Sequence, residues 1–263
     1  MGVDYKVSQL YDAAIRRIAG SQVEWKQILK LAGQLYRYEF DNILMVYMQR
    51  PKATLVADFG TWKKVGRYVR KGSRGIAIFP SRALRAGMRH VFDISDTGGR
   101  QQELTWRLHA GNREAYAAYL YQESGIKKTE EQKNQEAENE ESRHALQTIA
   151  SFLEKRIELL VETEFADRVA EFRKLAESRQ QPHLTEQEQT GIVVEALLRN
   201  SIYYVVGTRC GLEISPENQD FSALSAFSSE EEIYCLGSLV SDVSCMVLRS
   251  VAKDLAQVAR GRI

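Results

Sequence analysis

Residues 50–80 read RPKATLVADFGTWKKVGRYVRKGSRGIAIFP, and the period of the chain changes inside this stretch. Before it, apolar residues recur at helical spacing. Val7, Leu10, Tyr11, Ala14, Ile15 and Ile18 mark one short helix over residues 3–19. Ser21, with Glu24 three residues on, forms a capping-box pattern that opens a second helix bearing Trp25, Ile28, Leu29, Ala32, Leu35 and Tyr36. That helix is expected to break near residues 38–41 and resume over 42–49, until Pro51 stops it. After Pro51 the pattern is one of short strands: residues 53–59, 68–69, 75–80 and 89–94. Residues 61–65 fit one helical turn capped by Thr61, and Lys71-Gly72-Ser73 and Ala86-Gly87 read as turns. Residues 96–110, with Gly98-Gly99, read as loop. Residues 1–110 are therefore expected to form a small α+β module with a mostly antiparallel sheet.

Downstream the helical period returns. A Tyr- and Ala-rich helix is expected over 110–123, then a charged linker to about residue 140. An apolar stripe follows, from Ala145 through Leu153 and Val161 to Phe172, ended by Gln181-Pro182. Thr185 and Glu188 suggest another capping box, opening a helix to about Val206. A last long helix over 228–260 opens on Ser228/Ser229 and Glu230–Glu232, acids that suit the positive helix end. The expected architecture is thus α+β over residues 1–110, a helix and charged linker over 111–140, and an all-α domain over 141–263.

The formal net charge is +1, with 36 Lys and Arg against 35 Asp and Glu. This near-neutral total conceals two opposite halves. Residues 1–110 carry 19 basic and 9 acidic side chains; residues 111–263 carry 17 basic and 26 acidic. Residues 50–89 alone hold 11 basic residues and one acid, Asp58. Basic groups neutralise phosphates and release counterions. The interleaved rings of Trp62 and Tyr68 could add stacking surfaces of about 1–3 kcal/mol per base. This combination suits a single-strand binder better than a groove reader. Phe59 and Phe79 lie in apolar runs and read as core. Trp62 is open between core and base platform. The glycines at 66, 72 and 75 read as turns, because no phosphate-loop signature is present. The candidate nucleic-acid contacts are Trp62, Lys63, Lys64, Arg67, Tyr68, Arg70, Lys71 and Arg74, with Asn42 beside them.

No chemistry or cofactor is expected. Cys210, Cys235 and Cys245 lie in apolar helical surroundings, show no paired spacing, and fit a reducing compartment and small core residues. The four His residues have no zinc-ligand spacing, and the EEE run at 230–232 suits a helix start. The N-terminal residues lack an apolar signal core, so a cytoplasmic location is expected. The apolar run 191–210 contains Glu195, Arg199 and Asn200, which suits a buried helix and not a membrane span.

The stretch YEFDNILMVYMQRPKATLVADFGTWKKVGRYVRKGSRGIAIFP, residues 38–80, resembles the N-terminal single-stranded-DNA-binding domain of the ArdC antirestriction and LtrC-like proteins of plasmids and conjugative elements. The shared pattern falls on Tyr38, Asn42, Gln49, Pro51, Ala53, Thr54, Trp62, Gly66, Arg67, Val69, Gly72 and Pro80; Val91 to Thr97 is similar to a later strand of that family. The resemblance spans residues 10–100. It implies binding of single-stranded DNA through a basic sheet face, with Trp62, Lys63, Arg67, Lys71 and Arg74 as contacts and Asn42 as a structural or contacting polar group. It also implies a metalloprotease-like domain further on, but no HExxH signature is present in this chain. The helical half is similar to regions of larger LtrC-like or helicase-associated proteins, on YYVVGTRCGLE and FSSEEEIYCLGSLVSDVSCMVLRSV.

The expected function is that of a non-enzymatic single-stranded-DNA-binding accessory protein of a mobile genetic element. The alternative is an antidefence protein that contacts a restriction or CRISPR nuclease through the acidic helical half. A degenerate metalloprotease is a third reading.

Overall fold

The computed structural model describes residues 2–80, 88–99, 104–124, 138–179, 187–227 and 229–261. Arg82, Arg85, the Ala86-Gly87 turn, most of the expected linker, the Gln181-Pro182 stop, the Thr185 cap and Ser228 lie outside the described residues. The architecture is α+β followed by helices, as the sequence suggested.

Three helices lead: α1 (Gly2–Ile18), α2 (Gln22–Gln34) and α3 (Phe40–Gln49). Ser21 caps α2, its Oγ accepting from the Glu24 backbone N–H at 3.3 Å. The reciprocal half of the expected capping box does not form. The Glu24 carboxylate accepts instead from Tyr47 Oη at 2.5 Å and from Arg17 Nη2 at 2.9 Å, so one side chain ties α1, α2 and α3 together. Helix α3 is apolar almost all round, and Ile43, Leu44, Met45 and Val46 are fully buried, as expected of a helix enclosed on every side.

After Pro51 come β1 (Val56–Ala57), α4 (Phe59–Lys64), β2 (Arg67–Val69), β3 (Ile76–Ile78), β4 (Arg89–Asp93) and β5 (Thr97–Gly99). β1, β4 and β3 form an antiparallel sheet in that order, while β2 and β5 form a separate antiparallel ribbon. β5 was expected as loop, because Gly98-Gly99 reads as a turn. Two details depart from the sequence reading of α4. Its cap is Asp58, not Thr61: Asp58 Oδ1 accepts from the Thr61 N–H at 2.8 Å. Phe59, expected in the core, is exposed.

Polar side chains finish what the short strands leave open. β3 has one free edge, and α3 covers it. Gln49 pairs with both backbone groups of Ala77, donating to its carbonyl at 2.8 Å and accepting from its N–H at 2.9 Å. Asn42, two turns earlier on the same face, accepts from the Phe79 N–H at 2.8 Å. An edge satisfied this way is closed to further strand pairing. Asp93, only 2% exposed, accepts backbone N–H groups from Thr54, Leu55 and Ser95 and so fixes the end of the pairing where β1 begins and β4 stops.

The remaining helices are α5 (Ala110–Ser124), α6 (Glu138–Glu162), α7 (Ala166–Arg179), α8 (Gln187–Cys210) and α9 (Glu230–Val258). The apolar stripe expected as one helix is two, α6 and α7, separated by a turn at residues 163–165. Ser229 and Glu232 form the full reciprocal capping box of α9. Helix α8 is buried through Leu198, Ile202, Val205 and Val206. Helix α9 is long and apolar enough to cross a membrane by length and composition, yet its apolar face is covered by neighbouring helices.

The N-terminal helices share their core with this bundle. α2 lies along α8, where the Trp25 indole N–H donates to Ser201 Oγ at 2.9 Å. α1 and α3 lie on α9, where the Phe40 ring fills the notch left by Gly237; a Cβ there would meet Phe40 Cζ. One hydrophobic core runs through both halves.

Candidate nucleic-acid interface

The basic stretch is presented by three connected pieces: α4, the β2–β5 ribbon and the turn after β2. Their positions are fixed from beneath. The Trp62 side chain is 2% exposed, and its indole N–H donates to the Phe92 carbonyl of β4 at 2.9 Å. Trp62 is therefore the pin that holds α4 on the sheet and offers no face for stacking. Asn42 is likewise buried and committed to Phe79. Both residues position the surface from within.

Tyr68 has the opposite character. It is 62% exposed and sits opposite Gly98 in the ribbon. A Cβ at Gly98 would lie 2.6 Å from Tyr68 Cζ and 2.7 Å from its Oη, so the ring rests on the bare backbone of the partner strand. One ring face is thereby held against β5, and the residue still exposes most of its surface. At position 99 the backbone itself demands glycine: φ is +125°, and a Cβ would meet the Gly66 carbonyl at 2.7 Å.

Arg67 is a bracket within the ribbon. Its Nε donates to Thr97 Oγ1 at 2.8 Å and its Nη2 to the Thr97 carbonyl at 3.4 Å. Arg70 is exposed, with Nη1 donating to the Ser95 carbonyl at 3.1 Å. The turn beyond it is anchored to the residue before β5: the Arg70 N–H and the Ser73 hydroxyl both donate to the Asp96 carbonyl. Lys71 and Arg74 project from that fixed turn and are exposed. Lys63 and Lys64 occupy the last turn of α4, also exposed. Among the described residues, Lys63, Lys64, Lys71 and Arg74 form no ion pair.

Two of the basic residues counted in the sequence are neutralised. Arg50 pairs with Asp96 at 2.5 Å and Arg89 with Asp58 at 3.2 Å. Asp58 is held below the usual carboxylate range, first by the backbone N–H of Thr61 and further by the Thr61 hydroxyl and Arg89, against a smaller opposing effect of burial. It therefore remains an anion under Arg89 and α4.

Phe59 was missed by sequence reading. It is 58% exposed and one helical turn from Lys63, so a ring and a cation occupy the same face of α4. Its apolar neighbours suggested core; the signal for exposure was its place at the first residue of a helix whose next apolar position, Trp62, takes the core side.

A cleft of about 380 Å3 lies behind α4, between the α2–α3 connection and β1. Tyr36, Arg37, Tyr38, Asp58, Trp62 and Val65 line it, together with Leu104 and Thr105.

Among the described residues, no three of His, Cys, Asp and Glu converge to hold a metal ion. Burial pushes the Cys210 thiol up to about 12 and raises those of Cys235 and Cys245, so none is a ready thiolate.

Comparison with known proteins adds one finding. The family description "N-terminal domain of anti-restriction factor ArdC" matches residues 8–152, which is more than half of the chain. The match runs past the β-strands into α6, further than the resemblance over residues 10–100 suggested. No curated protein and no solved structure matches this chain. The motif that spans the helix-to-strand change, the pinned α4 and the β-ribbon all fall inside the matched region, and the chain belongs to the family of the N-terminal domain of anti-restriction factor ArdC.

Proposed function

We propose that this chain binds single-stranded DNA through α4, the β2–β5 ribbon and the turn after β2, as a non-enzymatic accessory factor of a mobile genetic element. The observation that carries this reading is the Tyr68 ring, laid on Gly98 and exposed between the cations of α4 and those of the following turn. A base stacks on a ring only if it has left its own helical stack, which single strands permit and duplexes resist. Lys63, Lys64, Lys71 and Arg74 supply phosphate neutralisation without base selectivity. An anti-restriction role follows if the chain covers incoming single-stranded DNA; the family membership supports that context.

The test is competition. A labelled oligothymidylate bound to the protein should be displaced by unlabelled single strand at far lower concentration than by duplex of the same length. Equal displacement by the two would overturn the proposal.

A further inference from the structure

Outside the basic stretch, two arginines from distant parts of the chain meet around two aromatic rings, with a third beside them. Tyr36 ends the α2 region, Trp106 lies in the segment before α5, and Arg209 is in the last turn of α8. The Tyr36 hydroxyl accepts from the Trp106 indole N–H at 3.1 Å and from Arg37 Nε at 3.2 Å. The Arg37 guanidinium stands 5.6 Å from the Tyr36 ring centre; that of Arg209 stands 6.0 Å from the same ring and 4.5 Å from the Trp106 ring. Arg209 Nη2 donates to the Trp106 carbonyl at 2.8 Å, while its buried Nε has no hydrogen-bond partner among the described residues. Arg107 follows directly and is exposed, as is Arg37.

Among the described residues, none of Arg37, Arg107 and Arg209 forms an ion pair. Burial lowers the Arg209 pKa, and Arg37 and Arg107 lower it further. The negative C-terminal end of α8 offsets part of the Arg209 charge. Guanidinium groups held on aromatic faces with unused donors are suited to a phosphate, whose oxygens accept two parallel N–H bonds.

The cluster adjoins the cleft behind α4, since Tyr36 and Arg37 line it and Thr105 precedes Trp106. The cleft volume of about 380 Å3 falls within the ~300–1,000 Å3 range of small-ligand sites. Its walls are mostly apolar and aromatic, with Gln34, Asp58 and Thr61 among them, and one is fixed by the Tyr38 hydroxyl, which donates to the Val56 carbonyl at 2.9 Å. Thr61 and Trp62 of α4 line the same cleft, so the helix that carries Lys63 and Lys64 forms its boundary.

We infer that Arg37, Arg107 and Arg209 form a second phosphate-binding point, and that the adjoining cleft receives a base of the same nucleotide chain. The inference rests on the single-strand reading above: the strand runs over the ribbon and α4 and ends in the cleft, its terminal phosphodiester on the arginines. Sequence gives no sign of this, because residues 37, 107 and 209 belong to no shared motif.

The test uses the whole chain, an oligothymidylate of about 12 nucleotides and two double variants. Arg37→Ala/Arg107→Ala removes the exposed members and leaves Arg209 in place for folding; Lys71→Ala/Arg74→Ala is the comparator on the ribbon side. Each single-strand phosphate deprived of its cation should lower the slope of log K against log salt by about 0.7, so the slope of the first variant should fall by about 0.7–1.4. If only the comparator changes the slope, the arginine point is overturned and the single-strand reading stands. If the wild type binds no oligonucleotide, the single-strand reading fails, and inorganic pyrophosphate then decides. A rise in melting temperature that is absent in Arg37→Ala/Arg107→Ala supports an anion site of another use, and no rise overturns it.

Discussion

Replacing Tyr68 separates the stacking contribution from the charge contribution. The residue is 62% exposed, so about 40% of its surface is covered in the free protein. Of the roughly 200 Å2 that a tyrosine can bury, that is about 80 Å2, so Tyr68→Ala should cost at most about 2 kcal/mol of stability. Removing the stacking partner should cost about 1–3 kcal/mol of binding, a Kd about 5- to 150-fold weaker. Tyr68→Phe keeps the ring and should bind nearly as the wild type does. Gly98→Ala is the sharper variant, since it removes no atom of the ring or of any cation. Its Cβ would stand 2.6 Å from Tyr68 Cζ, so the ring must lift from β5, and affinity should fall although every cation is intact. The assay is fluorescence anisotropy of a labelled oligothymidylate at several salt concentrations, with circular dichroism confirming the fold. Because a ring releases no counterion, Tyr68→Ala should shift the salt plot downward without changing its slope. An unchanged Kd for Tyr68→Ala, or a slope change as large as that from removing a lysine, would refute the reasoning.

Two further outcomes follow from groups beneath the surface. Trp62→Ala should destabilise the chain by about 3–5 kcal/mol in urea unfolding. Trp62→Phe, which leaves the Phe92 carbonyl without its indole donor, should cost about 1–3 kcal/mol with binding of the folded protein unchanged. A stable Trp62→Phe protein with tenfold weaker binding would instead make Trp62 a contact. Burial raises the pKa of Glu24, but hydrogen bonds from Tyr47 and Arg17 outweigh it and hold the carboxyl below its ordinary value. A group with a depressed folded pKa adds stability above its unfolded value, near 4.3, and that stability disappears as pH falls through the folded value. Glu24→Gln should therefore be less stable at pH 7 and show a flatter loss of stability from pH 5 to 3; a slope equal to the wild type's would count against this triad.

Local pattern made much of the fold legible. Ser21 as a cap, the break before α3, the stop at Pro51 and the opening of α9 at Ser229 all rest on neighbours within four residues. The same locality explains the misreadings. β5 was hidden because its glycines exist to accommodate Tyr68 and Gly66, thirty or more residues away. Thr61 was taken for the cap because Asp58 looks like the end of a strand, although its carboxylate is what satisfies the first turn of α4. Arg50 and Arg89 counted as free charges until Asp96 and Asp58 were seen beside them.

The sequence alone determined where periodicity changes, where positive charge collects and which family pattern the helix-to-strand junction carries. All three are properties of residues near one another in the chain. Only the tertiary structure decided which rings face water and which cations remain unpaired. A strand of three residues or a helix of six has no periodicity long enough to fix its own inner side. Packing against β4, β5 and α3 chose Trp62 for the core and left Phe59 and Tyr68 outside. By the same route, long-range packing of α2, α8 and the segment before α5 brought Arg37 and Arg209 around Tyr36 and Trp106, with Arg107 beside Arg209.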